Sequence, residues 1–114
     1  MRFFRKDRVA SLIQEELGHL MLRELEFNGA LVTITSVDVQ KDLEAADVNV
    51  SVLPSEQGEE IMKLLRAQQK HLQFLLLRKM NIKPMPTIIF KLDHGLENAA
   101  RVEKALLEDN NRRK

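Results

Sequence analysis

The sequence predicts an α+β fold, a three-stranded sheet with helices packed on one face, and three observations carry that prediction. Apolar residues recur at helical spacing from Asp7 to about Leu25 and again from Ile61 to Met80. Two runs rich in β-branched residues, Leu31 to Val39 and Asp47 to Leu53, follow one another across a short polar connection. A third such run, Thr87 to Leu92, comes directly after a Pro84-Met85-Pro86 break. Read end to end, the order is helix, strand, strand, helix, helix, strand, helix.

In the first helix Val9, Leu12, Ile13, Leu17, Leu20, Met21 and Leu25 make one apolar stripe, with Gln14, Glu15, Glu16 and Arg23 between them. Asn28-Gly29 is expected to stop it, since both residues tolerate a left-handed backbone. The alternation of the first strand slips between Ile34 and Val37. A bulge near Thr35-Ser36 would repair the register, and a twisted edge strand is the alternative. The second strand alternates cleanly, valines 48, 50 and 52 on one face and Asp47, Asn49 and Ser51 on the other, as in a half-buried antiparallel hairpin.

Pro54-Ser55 opens the next helix, with Ser55 as its expected N-cap and Glu56, Glu59 and Glu60 near its positive end. Ile61, Leu64, Leu65, Leu72, Leu75, Leu76 and Met80 continue one stripe, but Gln68 falls where an apolar residue is required. The helix should therefore break near Ala67-Gln68-Gln69, because two shorter helices bury both stripes without burying Gln68. Pro84 and Pro86 are expected to stop the second of them. Asp93-His94-Gly95 ends the third strand, Leu96 to Leu107 reads as a final helix, and residues 109–114 read as a frayed basic tail.

At 114 residues with 44% hydrophobic content the chain fits one domain, residues 1–114, whose core covers about two-thirds of the unfolded surface. Without Trp or Tyr that core is built from Leu, Ile, Val, Met and a few Phe, and a platform of stacked aromatics is not expected. The absence of cysteine excludes disulfides and thiolate chemistry. No secretory or spanning segment is read, so a cytoplasmic protein is expected.

The net charge of +1 hides a segregation. Residues 10–60 hold two basic and eleven acidic side chains, whereas residues 61–92 hold seven basic and none acidic. The start is basic too, through Arg2, Arg5, Lys6 and Arg8. A helix presents its lysines and arginines on the faces it does not bury, so the middle segment should carry a positive surface of a kind that meets phosphate.

Other chemistry is weakly signalled. His19, His71 and His94 lack the spacing of a helical zinc motif, and no metal or other cofactor is expected. Asp93 and His94 are adjacent at a strand end and point apart, which argues against acid-base work. Asp38, Asp42 and Asp47 surround the hairpin connection and are read as a solvated acidic turn rather than a hard-cation site. The glycines form no phosphate loop and no nucleophile signature appears, so an enzyme is not expected. Phe74 lies among leucines and is expected in the core rather than stacked on a base.

The strand-helix-helix-strand core, preceded by a helix and a strand, is the order of KH-like domains of type II, and the residues are more specific still. They run Arg5-x-x-Arg8-Val9 and Ile13-x-x-Glu16-Leu17, then Val32-Thr33-Ile34-Thr35-Ser36-Val37-Asp38-Val39-x-x-Asp42-Leu43-x-x-Ala46-x-Val48-x-Val50-Ser51-Val52-Leu53. They resume with Met80-x-Ile82-Lys83-x-x-Pro86 and Phe90-x-x-Asp93. On these residues, which span nearly the whole chain, the sequence resembles the ribosome-binding factor A family.

The resemblance implies a KH-like fold whose helices meet at an alanine-centred kink in place of a GxxG loop. It also implies binding to the immature small ribosomal subunit and its 16S rRNA, with a role in rRNA maturation that matters most in the cold. The chain departs from the family pattern at the kink: no glycine stands between Ala67 and Gln73, and Gln73 lies near the place of an expected Arg. Members often carry a longer basic C-terminal extension. The residues expected to grip RNA phosphates are Arg5, Lys6, Arg8, Lys63, Arg66, Lys70, Arg78, Lys79 and Lys83. A KH-like module that docks a protein through the acidic hairpin is the alternative. A monomer with no membrane contact and no small-molecule substrate is expected.

Overall fold

The computed structural model describes residues 6–94. Arg5, the helix expected over Leu96 to Leu107 and the basic tail lie outside the described residues. The elements are α1 (Lys6–Glu24), β1 (Leu31–Val39), β2 (Ala45–Leu53), a 3-10 turn (Ser55–Gln57), α2 (Gly58–Ala67), α3 (Gln69–Met80) and β3 (Thr87–Leu92). The sheet order is β1-β2-β3, with β1 antiparallel and β3 parallel to the central β2. Parallel neighbours need a long crossover, and α2 with α3 supplies it.

One face of the sheet carries the helices. Val37 and Val39 of β1, Ala46, Val48, Val50 and Val52 of β2, and Ile88 and Phe90 of β3 are buried there. They meet Val9, Ile13, Leu17, Leu20 and Met21 of α1, Ile61, Met62 and Leu65 of α2, and Leu72 and Leu76 of α3. α1 packs on β1 and α3, while α2 packs on β2 and β3. Nine residues of the expected stripes are buried, with Met62 added to them, while Leu25, Leu75 and Met80 pack partly against the core and Leu12 and Leu64 lie at its margin, half-buried.

The irregularity in β1 is a bulge. The pairing with β2 shifts between Ile34 and Ser36 and leaves Thr35 as the extra residue. Its hydroxyl donates to Asp93 Oδ2 at 2.7 Å and lies 3.2 Å from the carbonyl oxygen of Asn49. The Asn49 amide in turn donates to Ser36 Oγ at 2.9 Å and to Asp38 Oδ2 at 3.0 Å. The second face of the sheet is thus tied together by polar side chains at the bulge. Ser51, expected to be solvated on that face, is buried.

Three expected helix-end signals are corrected. α1 ends at Glu24, close to the expected Leu25, but Asn28-Gly29 is not its stop. Those two residues, both at positive φ (51° and 85°), instead form a tight turn closed by the Ala30 N–H on the Phe27 carbonyl, which aims the chain into β1. Ser55 makes no side-chain cap, because the chain enters α2 through a 3-10 turn beginning after Pro54. Neither Pro84 nor Pro86 ends α3. Asn81 does, in the left-handed conformation (φ 48°, ψ 48°), with its N–H on the Leu77 carbonyl.

The break between α2 and α3 is as expected: Gln68 stands between them at φ −97° and ψ 4°. This explains how the chain dispenses with glycine there. A negative φ is open to any L-residue, and only a positive one would favour glycine. The Gln68 N–H bonds back to the Leu64 carbonyl, and its own carbonyl accepts from Leu72.

The core assignment makes a prediction. Leu76→Ala, at a fully buried position, should lower unfolding free energy by about 2–5 kcal/mol in urea denaturation. Leu22→Ala, at a position 76% exposed, should change it by less than about 0.5 kcal/mol.

Candidate nucleic-acid interface

α3 uses its circumference fully. Leu72 and Leu76 point into the core. His71 and Lys79 reach α1, where His71 Nε2 lies 3.3 Å from Glu24 Oε1 and Lys79 Nζ lies 3.3 Å from Glu16 Oε2. These two contacts, Glu24 with His71 and Glu16 with Lys79, run in opposite order along the two helices, as antiparallel packing requires. Glu16 Oε2 is buried, and Lys79 is the charge that faces it.

A third side of α3 closes the free edge of β3. In β3 the N–H groups of Thr87 and Asp93 reach the carbonyls of Glu44 and Val50, so the alternate residues Ile88 and Phe90 turn their backbone groups away from β2. The Ile88 N–H donates to Gln73 Oε1 at 2.8 Å, and Gln73 Nε2 donates to the Pro86 carbonyl at 2.9 Å. Gln69 Nε2 donates to the Ile88 carbonyl at 3.0 Å. Two glutamine amides therefore stand where a neighbouring strand would. Only a side chain that both donates and accepts can do what Gln73 does, and an arginine at this position would leave the Ile88 N–H without an acceptor.

Beyond this clasp, an open groove of about 390 Å³ runs along β3, lined by Arg66, Gln69, Thr87, Ile88, Ile89 and Phe90. Arg66, in the last turn of α2, is its cation.

The expected phosphate-gripping residues fall into two groups. Lys63, Arg66 and Lys70 surround the α2–α3 joint, although they do not share one straight helical face, because the break at Gln68 puts Lys70 on the second helix. Arg78 and Lys79 lie in the last turn of α3, about 12–14 Å from Lys70 along the helix, and Lys83 follows in the loop after it. The antiparallel packing brings the start of α1, with Lys6 and Arg8, toward that same end. All of these are exposed. Lys79 is committed to Glu16, Arg78 stacks on Phe74, and among the described residues the other six make no ion pair. Arg5 lies outside the described residues.

Phe74 is a correction: it is 54% exposed and lies outside the core. The position on α3 explains this, since the leucines around it, 72 and 76, take the buried face and 74 falls opposite. Its signal in the sequence was its offset of two from each of those leucines.

The acidic turn is satisfied internally. Asp38 accepts from Asn49, Asp42 Oδ1 accepts from the Glu44 N–H at 3.1 Å, and Asp47 pairs with Lys91 at 3.1 Å. Among the described residues no group of three His, Cys, Asp or Glu side chains could hold a metal, and no helix is long and apolar enough to cross a membrane.

Two helices meeting at a turn, laid on one face of a three-stranded sheet with a central β2 parallel to β3, define a KH-like domain, here with a basic helix pair along its open edge. The family model for ribosome-binding factor A matches residues 5–106. The chain belongs to the ribosome-binding factor A family. It is 37% identical over 105 residues to ribosome-binding factor A of Pelodictyon phaeoclathratiforme, covering 90% of this chain and 88% of that one. The crystal structure of ribosome-binding factor A from Thermus thermophilus superimposes with a TM-score of 0.66 at 20% identity, covering 78% of this chain and 97% of that one. A homology model of the Thermus protein fitted into a cryo-EM map of its complex with the 30S subunit gives 0.62 at 19% identity, covering 74% and 90%.

The clasp on β3 yields a prediction. Gln73→Ala should cost about 1–3 kcal/mol of stability, because it leaves the Ile88 N–H and the Pro86 carbonyl without partners. Hydrogen exchange should show the Ile88 amide losing protection first; unchanged exchange there would mean the glutamine does not hold the strand.

Proposed function

We propose that the chain binds the immature small (30S) ribosomal subunit, contacts its 16S rRNA and assists processing and maturation of that RNA, with the need greatest in the cold. The observation that carries this reading is the one-sided basic surface along α2, α3 and the following loop, on a chain of the ribosome-binding factor A family. Five exposed cations there, Lys63, Arg66, Lys70, Arg78 and Lys83, make no ion pair with described residues, so binding phosphate breaks no existing salt bridge. The Thermus relative fitted into the 30S map supports the choice of subunit.

In mechanism, Lys63, Arg66 and Lys70 at the joint and Lys6, Arg8, Arg78 and Lys83 at the far end hold phosphates. The spacing of the two groups selects an RNA path by shape. Phosphate contacts position the protein without reading sequence. The groove beside β3 offers the backbone groups of Phe90 for a nucleotide that enters it. Lys79 contributes less, since it neutralises Glu16. Cold raises the need for such a protein because misfolded RNA helices then separate slowly. The role is binding rather than catalysis, carried out by a cytoplasmic monomer. Docking of a protein through the hairpin has weaker support, as Asp38, Asp42 and Asp47 are already occupied within the chain.

Binding carried by phosphates should weaken with salt, with a log-log slope of about −0.7 for each phosphate contact on single-stranded RNA and steeper on duplex. Reversal of Arg66 and Lys70 to Glu together should remove co-sedimentation with small subunits while leaving the thermal midpoint unchanged. A slope near zero, or unaltered sedimentation of the double variant, contradicts the reading.

A further inference from the structure

We infer that Phe74 is the stacking platform for one unpaired RNA base, with Lys70 and Arg78 taking the phosphates on either side of that nucleotide. The inference rests on the RNA-binding reading and adds the state of the RNA at this point: single-stranded, with one base turned out toward α3.

The argument starts from the helix. Lys70, Phe74, Leu77 and Arg78 occur at i, i+4, i+7 and i+8 and form one exposed stripe. The other sides of α3 are taken by the core, by α1 and by the edge of β3, so among the described residues this stripe is the side left for a partner. Phe74 is 54% and Leu77 43% exposed. The Arg78 guanidinium lies 5.7 Å from the centre of the Phe74 ring, over its face. That contact keeps a cation against the ring, so a base that stacks at this position meets the guanidinium as well as the ring.

Charge decides between occupants. The segment from Ile61 to Leu92 contains no carboxylate, and the stripe has a cation one turn before the ring and another one turn after. Two apolar side chains make too small a patch for a docking protein helix, which needs a row of anchors over several turns. They suffice for a single base, which offers one flat face and brings its negative charge on both sides. A duplex keeps its bases stacked on one another and cannot offer that face, so the site selects unpaired RNA. The stripe also lies between the two basic groups described above, so a strand that follows the phosphate contacts from the joint to the far end of α3 passes over Phe74.

The absence of Trp and Tyr elsewhere makes the test direct, because Phe74→Trp introduces the chain's sole indole reporter. Its fluorescence should be quenched by an unstructured oligouridylate of about eight nucleotides and not by an RNA duplex of equal length. Phe74→Ala and Phe74→Leu should each weaken oligouridylate binding about tenfold, with thermal midpoint and duplex binding unchanged, while Phe74→Trp binds at least as tightly as the parent. If the parent binds neither the oligomer nor small subunits, the RNA-binding reading falls and this inference with it. If the parent binds and both Phe74→Ala and Phe74→Leu bind equally well, stacking is overturned and the wider reading stands. If Phe74→Leu alone keeps full binding, the contact is apolar rather than aromatic, and the inference is likewise overturned.

Discussion

The hold of Gln69 and Gln73 on the outer edge of β3 is the contact on which the placement of everything functional depends. β3 is an edge strand, and an edge with unpaired backbone groups is open to pairing with any other chain. Two side-chain amides satisfy the Pro86 and Ile88 groups and in doing so fix α3 against the strand at a set height and rotation. With that rotation fixed, Leu72 and Leu76 must enter the core. His71 and Lys79 must then meet α1, and Lys70, Phe74, Leu77 and Arg78 must face out. The rotation also leaves the next stretch of the edge, at Phe90, bordering the groove that Arg66 overlooks.

The same rotation sets Lys79 against Glu16 of α1, and on the sheet Asp38 and Asp47 meet Asn49 and Lys91. The cations of the α2–α3 joint have no such partners among the described residues. A nearly neutral chain thereby carries a cluster of exposed cations that are unpaired among the described residues, the surface on which the proposed phosphate contacts rest. The bulge at Thr35 serves the other side of the sheet. It turns Ser36 and Asp38 toward Asn49 and ties β1 to Asp93.

Much of this was legible in the sequence because the signals were periodic. The stripes of α1, the alternation of β2 and the misplaced Gln68 each mark a burial pattern that no other local structure would satisfy. The bulge was legible for the same reason, as a slip in an otherwise regular alternation. Boundaries were less legible. Asn28-Gly29 can end a helix or make a turn, and only the intervening Leu25 to Phe27, partly packed on the core at Leu25 and Phe27, decides for the turn. Of the candidate site, the basic residues could be named but not the faces they occupy, since a break of one residue at Gln68 reorients everything after it. The roles of Gln69, Gln73 and Phe74 depend on which side of α3 meets β3, a long-range contact that sequence spacing does not encode.

The central claim is that the side of the molecule formed by α2, α3 and the edge of β3 faces RNA, and photo-crosslinking of the chain bound to small subunits tests it most directly. With crosslinkable residues placed one at a time, RNA adducts should concentrate at Arg66, Lys70 and Phe74, and positions such as Asp42 and Glu44 in the hairpin should give none. Adducts to protein at the hairpin, with none to RNA along α3, would contradict the account.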